Sequence, residues 1–200
     1  MDSLISSTLY LLALINPISK IFVLTTLAKE YDARRLRALS FYSSLVGLGI
    51  LVTFALAGNF ILDKFFHVEI YSFKAVGGVV LFAIGFKALT KGVFFEMQEN
   101  ASLEEISIVP LASPLIAGPA TITAAVSLSF QRSMDLTLAA IGIAVAANLL
   151  LMLAAAPIGR CLTRFNLMGA LIRITGLIVA TIAAQMVLDG LSEWMTATAH

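Results

Sequence analysis

The sequence predicts an all-α membrane protein with six transmembrane helices in two inverted three-helix repeats, helices 1 and 4 broken near the midplane. Three observations carry that prediction: an apolar content suited to lipid, six apolar runs of spanning length, and a proline-centred segment that occurs twice. Of the 200 residues, 60% are hydrophobic and 12% charged, with a strongly positive mean hydropathy. That is far more apolar surface than a soluble domain of this size can bury. A spanning helix takes about 20 mostly apolar residues, so six with short connections use nearly the whole chain. Residues 1–200 therefore read as a single transmembrane domain, with one repeat over about 1–95 and the other over about 103–194.

The first apolar run, residues 4–28, follows acidic Asp2 with no basic region before it and outlasts a signal-peptide core, so it reads as a retained helix. It contains Ile15-Asn16-Pro17-Ile18-Ser19 and then Lys20. A basic connection (Lys29, Arg34, Arg35, Arg37) leads to the second run, 38–62, where Gly47 and Gly49 allow close helix approach. A mixed connection (Asp63, Lys64, His67, Glu69) precedes the third, 73–90, which carries Lys74 and Gly77-Gly78. An acidic connection (Glu96, Glu99, Glu104, Glu105) precedes the fourth, 106–128, with Ala112-Ser113-Pro114-Leu115-Ile116-Ala117-Gly118-Pro119 in its interior. A turn with Arg132 and Asp135 opens the fifth, 136–158, which holds Gly142 and Asn148. A basic turn (Arg160, Arg164) opens the sixth, 167–190, with Arg173, Thr181 and Gln185.

Lys and Arg near the helix ends set orientation, and acidic residues contribute little. The first, third and fifth connections hold Lys29, Arg34, Arg35, Arg37, Lys87, Lys91, Arg160 and Arg164, against Lys64, Lys74 and Arg132 on the other side. Both termini are therefore expected away from the cytoplasm.

Each proline segment places a small polar residue before a proline inside an apolar run, and Pro17 and Pro114 lie 97 residues apart. Lys74-x-x-Gly77 and Arg173-x-x-Gly176 repeat at an offset of 99 residues. Two matches at nearly one offset indicate duplication. Because a three-helix unit crosses the membrane an odd number of times, its second copy enters from the opposite side, a geometry typical of secondary transporters. Proline removes an intrahelical hydrogen bond, and Gly118-Pro119 loosens the backbone further. Freed backbone groups in lipid must be buried in protein or line a wet cavity. The pair thus points to one central polar site, where half-helix N-termini attract an anionic group such as a carboxylate. The bland alternative is that both prolines only kink their helices.

In these segments the chain resembles the MarC family of bacterial inner-membrane proteins, over nearly all its length. The resemblance rests on Asn16-Pro17 in the first run, on Pro114-Leu115-Ile116-Ala117-Gly118-Pro119 in the fourth, and on Arg173-x-x-Gly176 leading to Gln185 and Gly190 in the last. It departs from the family pattern at Phe22, which stands where a second proline is usual, so the first repeat is expected to be less broken than the second. The resemblance implies six helices in two inverted halves, a multi-pass protein of the bacterial inner membrane, kinship with LysE-type exporters, and transport of small neutral amino acids.

The residues expected to bind a solute are Asn16, Pro17, Ser19 and Lys20 at the first break, Ser113, Pro114, Gly118, Pro119, Thr121 and Thr123 at the second, and Asn148 and Gln185. Thr25, Thr26 and Thr181 are further polar positions, although a membrane threonine more often bonds its own helix backbone. For Asn148 and Gln185, helix-to-helix bonding and solute contact stand open together. Lys20 either pairs with a substrate carboxylate or coupling-site anion, or snorkels to the interface. Arg173 and Lys74 read as interfacial or inter-repeat anchors. The small residues Ser19, Ala112, Ser113, Ala117, Gly118 and Ala120 favour a tight cavity of the glycine, alanine and serine class.

Other functions fare worse. A net charge of +1, with basic residues only in short clusters, gives no case for nucleic acid. Cys161 is the only cysteine, so no internal disulfide or Cys-based zinc site forms. The histidines, His67 and His200, cannot build a catalytic triad or an HExxH zinc site, and no residue after Gly118-Pro119 suits a P-loop. No enzyme, metal or cofactor is expected. No Asp or Glu lies deep in any run, so a proton relay lacks a carboxylate carrier. The expected partners are the bilayer and the amino acid, with a coupling H+ or Na+ and a homo-oligomer left open. The alternative reading is a channel, or an exporter of another small polar solute or drug.

Overall fold

The computed structural model describes residues 2–28, 31–60, 64, 67–94 and 116–198. Helix α1 (Asp2–Ile15) and helix α2 (Pro17–Leu27) share one apolar span, interrupted only at Asn16. Helix α3 (Ala33–Asn59) starts earlier than the apolar run because Asp32 caps it, its carboxylate accepting from the Arg35 amide at 2.9 Å. Helix α4 (Ile70–Lys91) ends where Gly92, at φ 70, takes the left-handed conformation that stops a helix. Helix α5 (Pro119–Gln131) is followed by α6 (Met134–Leu153), α7 (Ala155–Arg164) and the long α8 (Met168–Thr198). Five segments are long and apolar enough to cross a membrane: Ser3–Leu27, Ala33–Gly58, Ile70–Lys91, Met134–Leu153 and Met168–Thr198. Among the described residues α5 is a shorter sixth element, about 20 Å long at 1.5 Å per residue. The expected fourth run thus shows only its second part, and Ser113 and Pro114 lie outside the described residues.

Two further expected boundaries change. The fifth run is two helices, because Pro157 has no amide hydrogen and its ring clashes with the carbonyl four residues back, which is Leu153, the last residue of α6. After the bend at Ala154, α7 buries Ala155 and Gly159 and exposes Arg160, Cys161 and Arg164. The last helix outruns its apolar stretch, because Glu193 is held by Lys74 at 2.5 Å and does not end it.

Helices α4 and α8 lie antiparallel at close range. A Cβ built on Gly85 would stand 2.6 Å from the Ala180 nitrogen, one on Gly78 2.8 Å from the Ala183 carbonyl, and one on Gly190 2.7 Å from the Tyr71 carbonyl. Those neighbours are backbone, so only glycine fits. Both ends are pinned: Lys74 pairs with Glu193, and the Arg173 guanidinium donates to the Leu89 carbonyl at 3.1 Å, at the negative end of the α4 dipole. Gly77 instead faces α5, with Thr123 Oγ1 3.1 Å from a Cβ placed there. Gly47 abuts Ile116 of the chain leading to α5, whereas Gly49 and Gly142 have no neighbour within 4 Å of a built Cβ among the described residues.

Large side chains such as Phe41, Leu45, Leu56, Val76, Phe86 and Leu177 face outward, as the hydrocarbon of a bilayer requires. The interior is built from Leu11, Ile15, Ile116, Ala117, Ile141 and Ala144, all at most 1% exposed.

Candidate solute site

The first break begins at Asn16, which adopts φ 55, ψ 77, a left-handed conformation that asparagine tolerates better than most residues. Pro17 follows at the first position of α2, where a missing amide hydrogen costs nothing. It leaves the Ala13 carbonyl without its usual partner. The Asn16 carbonyl accepts from the Ser19 hydroxyl at 2.7 Å and from the Ser19 amide at 3.2 Å. The Lys20 ammonium reaches back to the Ile15 carbonyl and stands 3.4 Å from the Asn16 carbonyl. Lys20 is 0% exposed, so it does not snorkel. Its Nζ sits at the negative C-terminal end of α1 and occupies carbonyls that the break sets free.

The second break presents the opposite helix end. Gly118 is the N-cap of α5, Pro119 again takes the first helical position, and no side chain caps the turn. The Ile122 amide returns to the Gly118 carbonyl at 2.8 Å. The earlier amides, Ala120 and Thr121, have no carbonyl within their own helix. This N-terminus is buried, with Ala117, Ala120 and Thr121 at most 2% exposed. Buried amides at the positive end of a helix form a seat for a carboxylate. Thr123 spends its hydroxyl on the Pro119 carbonyl at 2.8 Å, and Thr25, Thr26 and Thr181 likewise bond their own helices. Pro119, like Pro17, opens a helix.

Asn148 is 0% exposed in α6. Its amide nitrogen contacts Met152 Sδ at 3.2 Å, while its Oδ1 has no hydrogen-bond partner among the described residues. A buried amide oxygen left unmatched costs about 1–3 kcal/mol, so this oxygen is an acceptor in want of a donor. Ser44 of α3 also contacts Met152 Sδ at 3.8 Å, and Gly47, one turn further along α3, packs on Ile116. Asn148 thereby shares Met152 with Ser44 of α3, the helix whose Gly47 packs on Ile116 two residues before Gly118.

Two cavities flank this centre. The larger, about 410 Å³, is lined by Ser7, Tyr10, Lys74, Thr123, Gln185 and Asp189, among others. The smaller, about 270 Å³, lies at the other end against Leu24, Tyr31, Arg37, Ser40, Met152 and Ala156. Leu11, Ile15, Ile116 and Ile141, at most 1% exposed, fill the space between. Gln185 therefore stands away from the buried centre, exposed on the larger cavity's wall and donating to Asp189 at 2.7 Å. Asn16, Pro17, Ser19 and Lys20 come together at one break, and Gly118, Pro119, Thr121 and Thr123 at the other.

Several polar residues that the sequence reading passed over line the same interior. Ser40, Ser43 and Ser44 are at most 3% exposed and face inward from α3. Their spacing, continued by Gly47, marks one small and polar helix face, which was the available signal. Thr8 Oγ1 is a second buried oxygen without a partner among the described residues. No three His, Cys, Asp or Glu side chains gather to hold a metal among those residues.

The family model described as MarC family integral membrane protein matches residues 1–195. A UPF0056 membrane protein of Pyrococcus horikoshii is 34% identical over 190 residues, covering 95% of this chain and 94% of that protein. One from Methanocaldococcus jannaschii is 31% identical over 190 residues, covering 90% and 91%. The UPF0056 inner membrane protein YhgN of Escherichia coli is 29% identical over 197 residues, covering 98% and 99%. These names describe membrane proteins and state neither a solute nor a reaction. No solved structure matches the chain.

Proposed function

We propose that this chain, which belongs to the MarC family of integral membrane proteins, is a secondary transporter of small neutral amino acids of the glycine, alanine and serine class. One observation carries the reading: two buried helix breaks, at Asn16-Pro17 and Gly118-Pro119, expose opposite helix ends to a closed interior between two cavities. Broken helices that bring polar backbone to the middle of a membrane domain are how secondary transporters build solute sites.

The chemistry of a zwitterion suits both ends. Its carboxylate would be held by the Ala120 and Thr121 amides at the start of α5, with the helix dipole adding to the attraction. Its ammonium would supply the donor that Asn148 Oδ1 lacks. The buried layer around the second break is formed by small residues, Ala117, Gly118, Ala120 and Thr121, which favours side chains no larger than a hydroxymethyl group. Access would alternate between the two cavities while Ile15, Ile116 and Ile141 part on one side at a time.

In this reading α5 is the second half of a sixth crossing. Helix α4 starts near Lys74 and α5 ends beside Arg132, both of which line the larger cavity, and this supports a further crossing that includes α5. This supports six crossings in two inverted halves, with the tight α4 and α8 pair joining the halves. The basic residues Arg34, Arg35, Arg37, Arg160 and Arg164 gather at the smaller cavity's end, and this charge bias supports a cytoplasmic position for that end, with both termini outside a bacterial inner membrane.

Counterflow in proteoliposomes tests the function. With unlabelled glycine, serine, leucine or a non-amino-acid solute trapped inside, radiolabelled alanine is expected to accumulate against glycine and serine only. Saturation-free leak of every solute would assign a channel instead, and exchange confined to the non-amino-acid solute would move the reading to another cargo.

A further inference from the structure

The C-terminal carbonyls of a broken membrane helix are the groups that bind Na+ in inverted-repeat transporters. Here the same kind of cluster exists at Ile15 and Asn16, and it is already filled. The Lys20 ammonium donates to the Ile15 carbonyl and lies 3.4 Å from that of Asn16, while Ser19 donates its hydroxyl to the latter at 2.7 Å. We propose that Lys20 is a tethered cation that permanently takes the place of a mobile coupling ion at the first break, so that the transport cycle neither binds nor requires Na+ there.

The site attracts a single positive charge, because the carbonyl end of α1 carries about half a negative charge and the break turns it toward a buried interior. A lysine ammonium is a compact monovalent cation with three donors, and its stem from α2 holds it in place at a fixed span of five residues from Ile15. Tethering keeps the local concentration of that charge far above that of any dissolved ion, so Na+ cannot displace it. Burial adds to this: at 0% exposure the ammonium has no solvent to return to, and Ile15 beside it is itself 1% exposed. The tethered charge also explains how α1 and α2 remain one stable span despite the interruption at Asn16.

The placement of Lys20 follows from geometry alone, and only its consequence for coupling rests on the transporter reading. Thermal unfolding of the purified full chain tests the first point, with NaCl exchanged for choline chloride at constant ionic strength. The wild-type midpoint is expected to be equal in both salts. Lys20→Ala leaves the carbonyls with room for an ion, and it is expected to melt lower in choline and to regain about 3 °C or more in Na+. Lys20→Met refills the space without charge and is expected to ignore the salt. A wild-type midpoint that climbs with Na+ overturns the proposal, as does a folded Lys20→Ala protein indifferent to it; if that variant fails to fold, the wild-type comparison decides. Alanine counterflow by the wild type in the two salts tests the consequence, with equal rates expected and a loss in choline contradicting it. Absence of counterflow in both salts counts against the amino acid reading alone, because the melting comparison reads Lys20 without transport.

Discussion

At the residue scale, Asn148 separates structure from function. A side chain that only joins helices is satisfied, and this one keeps a buried oxygen with no partner among the described residues. Asn148→Leu removes that oxygen and fills the space with hydrocarbon of similar size. The thermal midpoint is expected to hold or to rise by a value equivalent to about 1 kcal/mol, since an unmatched polar group disappears. Alanine counterflow is expected to fall sharply in the same protein. A parallel loss of stability and transport would assign Asn148 to packing instead. The sequence announces Asn16, Pro17, Gly118 and Pro119 by residue type, because proline and glycine alter the backbone wherever they stand. It leaves Lys20 undecided between site and interface, because a four-carbon stem can point either way and only the position of the Ile15 carbonyl settles which. Ser40, Ser43 and Ser44 were harder to see still, as serine is common in membrane helices and only burial marks these three as interior.

At the element scale, the α4 and α8 pair is the rigid part of the molecule. Gly85 faces backbone atoms of Ala180 and Gly176 at 2.6 and 2.8 Å from a built Cβ, so a methyl group there forces the helices apart. Gly85→Ala is expected to destabilise the protein by about 1–3 kcal/mol, read as a lower thermal midpoint. Gly142→Ala, with nothing within 4 Å, is expected to be neutral or to stabilise by up to about 1 kcal/mol through helix propensity. Equal effects from the two would remove the packing argument. Lys74 is mostly buried and Glu193 is 44% exposed, so their pairing is partly screened by solvent. A double-mutant cycle with Lys74→Met and Glu193→Gln is expected to return a coupling of about 1 kcal/mol or less, smaller in high salt. The pattern of apolar runs foretold five of the spans, yet it missed the division of the fifth run at Ala154. Pro157 was visible there, but a proline near the end of an apolar run marks a kink or a stop equally well. Tertiary contact decides, with Gly159 packed so closely on Thr25 that a Cβ would stand 2.1 Å from its hydroxyl.

At the scale of the whole molecule, two cavities lie at opposite ends of a closed centre, and the proposed topology puts the basic end in the cytoplasm. Cys161 is exposed on α7 at that basic end and is the only cysteine of the chain, so it serves as a native reporter of sidedness. A membrane-impermeant maleimide is expected to leave it unlabelled in intact cells and to label it once the membrane is opened. Labelling from outside would reverse the orientation. The proposed duplication rests on two sequence offsets that nearly agree, while the cavities were not legible in the sequence, since they depend on how far side chains from distant helices fall short of meeting. The central claim is that the buried start of α5 holds the solute, and Gly118→Leu tests it most directly by placing a large side chain at the N-cap. Wild type and variant are reconstituted side by side, with monodispersity and thermal midpoint measured first and alanine counterflow second. The account predicts a folded variant with counterflow abolished; normal counterflow in the folded variant would contradict it.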